Sequence, residues 1–165
     1  MEIRIATIAE LEAWWDAKIE KQPDNPAYKV WKNNFVQGNI KNERKTFFVF
    51  NDNNEYIGQG TLLLQSEDAV MTGKDKAEII KLEINPQYRG KGIATKIYQA
   101  IEKYAKQNGI KTLTIGVEPC EIRNMQIYFH WGFTNFLKCT SETFPPTTPD
   151  GEGETIIVLC YSKQI

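Results

Sequence analysis

The chain has 165 residues, 41% hydrophobic and 25% charged, with a formal net charge of −1. That length fits one folded domain with a substantial core, and the near-balanced charge excludes a disordered chain and a protein that coats nucleic acid. No run approaches the ~20 consecutive apolar residues of a membrane helix, and Met1-Glu2-Ile3-Arg4 lacks the apolar core of a signal segment, so the expected compartment is cytoplasmic.

Taken in chain order, Glu2 to Ala6 alternates apolar and charged residues and predicts a first strand. Thr7 to Lys21 carries Ile8, Leu11, Trp14, Trp15 and Ile19 at helical spacing behind a Thr7/Glu10 capping box, and Pro23 to Pro26 breaks it. A second helix is predicted over Ala27 to Val36, closed by Gly38-Asn39. Thr46 to Phe50 and Tyr56 to Gln65 form a hairpin around Asn51 to Asn54, residues that tolerate turn geometry. Glu78 to Ile84 reads as a strand, stopped by Asn85-Pro86 because proline cannot donate to a ladder. Ile93, Ile97, Ala100, Ile101, Tyr104 and Ala105 mark a helix that ends at Asn108-Gly109. Lys111 to Val117 is a strand, Ile122 to Trp131 a helix, and Thr134 to Thr140 with Thr155 to Ser162 a terminal strand pair. Their connector, Ser141 to Glu154, is rich in Pro, Gly and acids and is expected to be a mobile flap. Cys120, Cys139 and Cys160 are odd in number and widely spaced, which argues for buried thiols rather than disulfides or a metal site.

Between the Glu78 strand and the Ile93 helix lies Gln87-Tyr88-Arg89-Gly90-Lys91-Gly92-Ile93-Ala94. A strand-to-helix turn leaves the first amides of the helix without internal partners, at the positive end of its dipole, so anions bind there. Gly90 and Gly92 let a phosphate approach the backbone and let the loop take positive φ, while Arg89 and Lys91 add charge. The run lacks the third glycine of the dinucleotide fingerprint and the Gly-Lys-Ser/Thr ending of a nucleotide P-loop, which argues against a nucleotide-binding switch.

Gln87, Gly90 and Gly92 resemble the Gln/Arg-x-x-Gly-x-Gly/Ala signature of the GNAT superfamily of acyl-CoA-dependent N-acetyltransferases. Downstream, Tyr128-Phe129-His130-Trp131-Gly132-Phe133 resembles that family's Tyr-x-x-x-Gly-Phe ending of the fourth helix. The resemblance implies an α/β (α+β) fold over 1–165 as a single domain: a mixed, mostly antiparallel twisted sheet of about seven strands with a central parallel splayed pair, and four helices. It also implies acetyl-CoA as acyl donor and a homodimer through terminal strands. The cofactor arm is expected along the strand edge at Leu82 and Ile84, the diphosphate on Gln87, Tyr88, Arg89, Gly90, Lys91, Gly92, Ile93, Ala94 and Thr95, with Asn124 and Tyr128 completing the site. Relatives often carry an asparagine seven residues before the helix tyrosine and a small residue three later, where this chain has Glu121 and Asn124.

The implied chemistry is attack of a neutral amine on a thioester. Tyr128 occupies the family's general-acid position, and the base candidates are Glu78 and Glu83, with a water-relayed or absent base the alternative. The two acids are five positions apart, so a regular strand sends them to opposite faces unless a bulge intervenes. The acceptor segments of the resembled fold carry Trp14, Trp15, Tyr28, Trp31 and Phe144, with Glu12, Asp16, Glu20, Asp24, Glu67, Asp68, Glu142, Asp150, Glu152 and Glu154, a set that suits a cationic amine. The reading is therefore an N-acetyltransferase using direct transfer; the alternative is a catalytically idle acyl-CoA-binding domain.

Overall fold

The computed structural model describes residues 1–165. The strands are β1 (Glu2–Ile5), β2 (Arg44–Phe50), β3 (Tyr56–Leu63), β4 (Lys76–Ile84), β5 (Thr112–Val117), β6 (Asn135–Thr143) and β7 (Thr155–Gln164). The helices are α1 (Ile8–Lys21), α2 (Pro26–Ile40), α3 (Ile93–Gln107) and α4 (Ile122–His130). All seven strands join one sheet in the order β1-β2-β3-β4-β5-β7-β6, and only β4 and β5 are parallel. This is the expected architecture. No helix is long and apolar enough to cross a membrane.

The sheet is covered on both faces. Ile97, Ile101 and Ala105 of α3 pack on Leu62, Ile79 and Leu113, and α4 joins that layer through Trp131, which stacks on Tyr98 at 4.6 Å. On the other face Leu11 and Val36, from α1 and α2, pack on Phe48 and Phe50 of β2. Each such aliphatic side chain contributes ~1.5–3 kcal/mol on burial, so both helical layers are held mainly by apolar area.

Local chemistry sets the element ends. The Thr7 hydroxyl accepts from the Glu10 amide at 3.2 Å and the Glu10 carboxylate accepts from the Thr7 amide at 2.9 Å, closing the capping box of α1. Gly38-Asn39 does not close α2, which runs on to Ile40. Gly38 is there for space, since a Cβ would lie 2.4 Å from Arg44 Nε. Asn39 is buried, its amide donating to Phe35 O at 2.8 Å and Thr46 Oγ1 at 3.1 Å while its oxygen accepts from the Thr46 amide at 3.1 Å. The expected flap is also shorter than Ser141 to Glu154, because β6 stays paired with β7 as far as Thr143 opposite Thr155. Of the cysteines only Cys160 is buried; Cys120 and Cys139 are exposed, contrary to the expectation.

Replacing Asn39 with alanine strands the buried Thr46 amide and should cost ~2–3 kcal/mol. Urea unfolding would show this as a lower midpoint with an unchanged slope.

Candidate active site

The pairing of β4 with β5 runs from Lys76 opposite Thr112 to Ile79 opposite Ile115 and then stops. Beyond it the two strands diverge. On its other side β4 is in register with β3 at Ile80 opposite Thr61 and again at Glu83 opposite Gln59, so β4 uses one residue more than β3 between these points. That is a bulge, and Lys81 within it has φ of +52°, unusual for a side chain with a Cβ. The extra residue resets the alternation: Ile79 and Leu82 both pack on the α3 side, while Glu83 meets Lys18 of α1 on the other face. Glu78 and Glu83 therefore share a face.

They do not share a fate. Glu83 is engaged by Lys18 at 3.4 Å, Lys81 at 3.7 Å and the Gln59 amide at 3.5 Å. The Glu78 carboxylate forms no ion pair or hydrogen bond and faces a cavity of about 540 Å³ bounded by β4, β5, the α1–α2 wall and the β6–β7 connector. Burial, reinforced by the charges of Glu142 and Asp68, raises the Glu78 carboxyl to about 7, with Lys138 opposing. Lys138 itself is ion-paired with Asp68. Glu142, an exposed residue at the rim, is raised as well, by partial desolvation of its carboxyl and then by Asp68.

A second cavity of about 520 Å³ lies between the end of β4, the glycine turn and α4. Gly90 and Gly92 have φ of +75° and +73°, and a Cβ on either would meet nothing within 4 Å, so the turn opens onto free space. Gly92 caps α3, whose first internal bond is Lys96 N–H to Gly92 O; the amides of Ile93, Ala94 and Thr95 are left without helical partners, and no acidic residue stands in that turn. Every residue expected at the cofactor site lines this cavity except Gln87 and Lys91. Lys91 lies over the Tyr88 ring at 5.3 Å, and the Arg89 Nε donates to Ile84 O at 3.0 Å, so part of Arg89 braces the turn. Asn124 spends its amide on Glu121 at 2.8 Å. Sequence reasoning missed Arg123, the one basic Lys/Arg of α4, along with Ile127 and Trp131.

The two cavities share Leu82, Glu121 and Tyr128. Burial, then the Glu121 charge, pushes the Tyr128 phenol up to about 12, so it keeps its proton at any ordinary pH. In the Glu78 cavity the aromatic wall is Trp15, Trp31, Phe35 and Phe144, not Trp14 or Tyr28: Trp14 turns instead toward Phe48 and Tyr56. Among the expected acidic residues only Glu142, Glu152 and Glu154 line it, joined by Glu118 and Glu121. Trp14 and Trp15 are adjacent on α1, and only one of them can face the cavity.

The sequence pattern of the acetyltransferase (GNAT) family matches residues 8–133. No curated protein sequence matches the chain. Among solved structures, a ribosomal-protein-alanine N-acetyltransferase from Brucella melitensis aligns over 100% of both chains at 14% identity and a TM-score of 0.68. A Salmonella typhimurium protein described as an acetyltransferase, solved with its cofactor acetyl-CoA, aligns over 99% of this chain and 93% of its own at 13% identity and a TM-score of 0.69. An N-acetyltransferase from Staphylococcus aureus Mu50 is 19% identical, with coverages of 99% and 97% and a TM-score of 0.67.

The raised Glu78 carboxyl has a consequence for stability. The folded state binds a proton more tightly than the unfolded chain, so its stability falls as pH rises from ~4.3 to about 7 and stays lowered above that. Glu78→Gln should therefore raise Tm at pH 8 and change it much less at pH 5, by calorimetry.

Proposed function

Since the chain belongs to the acetyltransferase (GNAT) family of acyl-CoA-dependent enzymes, we propose that it transfers an acetyl group from acetyl-CoA to a primary amine of a small molecule or peptide, directly, in a ternary complex. The observation that supports this most is the meeting of two cavities at Tyr128, one opening on free helix amides and the other on an unpaired carboxyl. Residues 1–165 are read as one such catalytic domain, working in the cytoplasm.

The residues present fit an acyl-CoA. The amides of Ile93, Ala94 and Thr95, with Gly90 and Gly92 clearing the approach and Arg123 across the groove, form a site for a diphosphate. The edge of β4 from Leu82 to Ile84, released from β5, offers main-chain donors and acceptors to an amide-containing arm. Bound there, acetyl-CoA would supply an acetyl group activated as a thioester.

The chain's own groups then handle protons. An amine with a lysine-like pKa of ~10.4 must lose a proton before it can attack, and an ordinary carboxylate at ~4.3 is a poor acceptor for it. At about 7, Glu78 narrows the gap to roughly three units, or ~4–5 kcal/mol, and is ionised for a large fraction of molecules at neutral pH. Glu83 is the weaker candidate base, because Lys18 and Lys81 already occupy it. Tyr128 acts as acid. With its phenol at about 12 and a thiol near ~8.5, complete transfer is uphill by ~3–4 units, so the role assigned is a hydrogen bond donated to the departing sulfur.

Thiol release from acetyl-CoA over a panel of amines tests the reading: binding of coenzyme A without release from any amine would leave an idle acyl-CoA-binding domain. For Glu78→Gln we expect kcat/KM to fall ~10²–10³-fold and the acid limb near pH 7 to vanish. Gly90→Glu puts a carboxylate beside the helix amides and should weaken coenzyme A binding more than ~10-fold by calorimetry.

A further inference from the structure

The Glu78 cavity is charged far out of proportion to the chain. Six glutamates line it, namely Glu78, Glu118, Glu121, Glu142, Glu152 and Glu154, against one lysine, Lys81, in a protein with 21 acidic and 20 basic residues. Lys81 pairs with Glu83, outside this cavity, and Lys138, whose charge acts on Glu78 and Glu142, pairs with Asp68. The acids are spread along the cavity rather than gathered at a point. Glu78 is half-buried on the sheet floor, whereas Glu142 on β6 and Glu152 and Glu154 at the end of the connector are exposed. Between them stand aromatic faces: Trp15, Trp31 and Phe35 from α1 and α2, and Phe144 across from them. Trp15 also carries a buried indole N–H without any partner, so polar capacity as well as charge is unfilled in this wall.

Resting on the acetyl-transfer reading, we propose that the acceptor is a linear polyamine-type cation, whose reacting amine faces Glu78 while a second ammonium is held at the rim by Glu142, Glu152 and Glu154. A half-buried carboxylate with no counter-ion is costly, and a cationic guest offsets that cost. Trp31 already takes the Lys81 ammonium and Phe35 the Arg44 guanidinium, so the aromatic wall chiefly packs the methylenes between the guest's ammonium groups while the carboxylates take the charge. An anionic acceptor meets repulsion along the whole cavity. A monoamine reaches the floor but leaves the rim carboxylates in water, gaining nothing from them.

Calorimetry on the coenzyme A complex, with a linear triamine, an alkyl monoamine of matching length and a dibasic tripeptide, measures the preference independently of turnover. The triamine should bind about tenfold tighter than the monoamine, and the advantage should shrink towards unity in 0.5 M salt, about half an order of magnitude above physiological strength, and in the Glu142→Gln/Glu152→Gln/Glu154→Gln variant. Equal affinity for monoamine and triamine, or an advantage that survives the triple substitution, overturns the proposal. Tighter binding of the tripeptide than the triamine does so as well, by giving the cavity to a peptide. Thiol release in the same series separates the two claims: charge-dependent binding without turnover defeats acetyl transfer but keeps the cavity's guest, and turnover indifferent to charge does the reverse.

Discussion

The site depends on one register break. Without the extra residue of β4 at Lys81, the strand would alternate regularly from Lys76 to Ile84, and Glu78 and Glu83 would fall on opposite faces of the sheet. With it, Leu82 and Ile84 pack on the α3 layer, both acids turn to the α1 side, and the strand edge beyond Ile79 is released from β5. The bulge thus makes the floor of one cavity and the edge of the other at once. Its backbone cost, a non-glycine residue at φ of +52°, is borne by a Lys81 whose ammonium finds Glu83 and the Trp31 ring.

The same geometry separates two electrostatic tasks. At the glycine turn the protein offers positive dipole ends and no acid in the first turn of α3, which suits an anion. On the opposite side of Tyr128 it offers carboxylates, one of them raised by burial into the range where it can exchange protons at neutral pH. Tyr128 stands where the two fields meet, held on α4 by packing against Trp131, which is itself stacked on Tyr98 of α3. The α3–α4 core contact therefore sets the position of the phenol between the cavities.

What was legible in the sequence is what local chemistry determines. The glycine turn could be found because two residues without Cβ at the boundary between a β-branched run and an amphipathic helix restrict the backbone to few conformations, and the structure has both at positive φ. The capping box of α1 and the proline after β4 were local in the same sense. The rest depended on partners distant in the chain. Gly38-Asn39 looks like a helix stop until Arg44 and Thr46 are seen packed against it, and Ser141 to Thr143 looks like loop until Thr155 pairs with it. The choice between Glu78 and Glu83 was open for the same reason: the ammonium of Lys18, contributed by α1, marks Glu83 as occupied, and no spacing within β4 records that. Helical phase turns Trp14 toward Phe48 and Tyr56, whereas Tyr28 shares the α2 face of Trp31 and packs on Trp15 and Trp31 just outside the cavity lining, which no spacing along α2 distinguishes.

The most direct measurement is a crystal structure with coenzyme A bound. The account predicts the diphosphate on the amides of Ile93 to Thr95 beside Gly90 and Gly92, the arm along β4 from Leu82 to Ile84, and the sulfur at the Tyr128 hydroxyl, facing the Glu78 cavity. A ligand whose diphosphate avoids the glycine turn, or whose sulfur ends away from Tyr128, would contradict it.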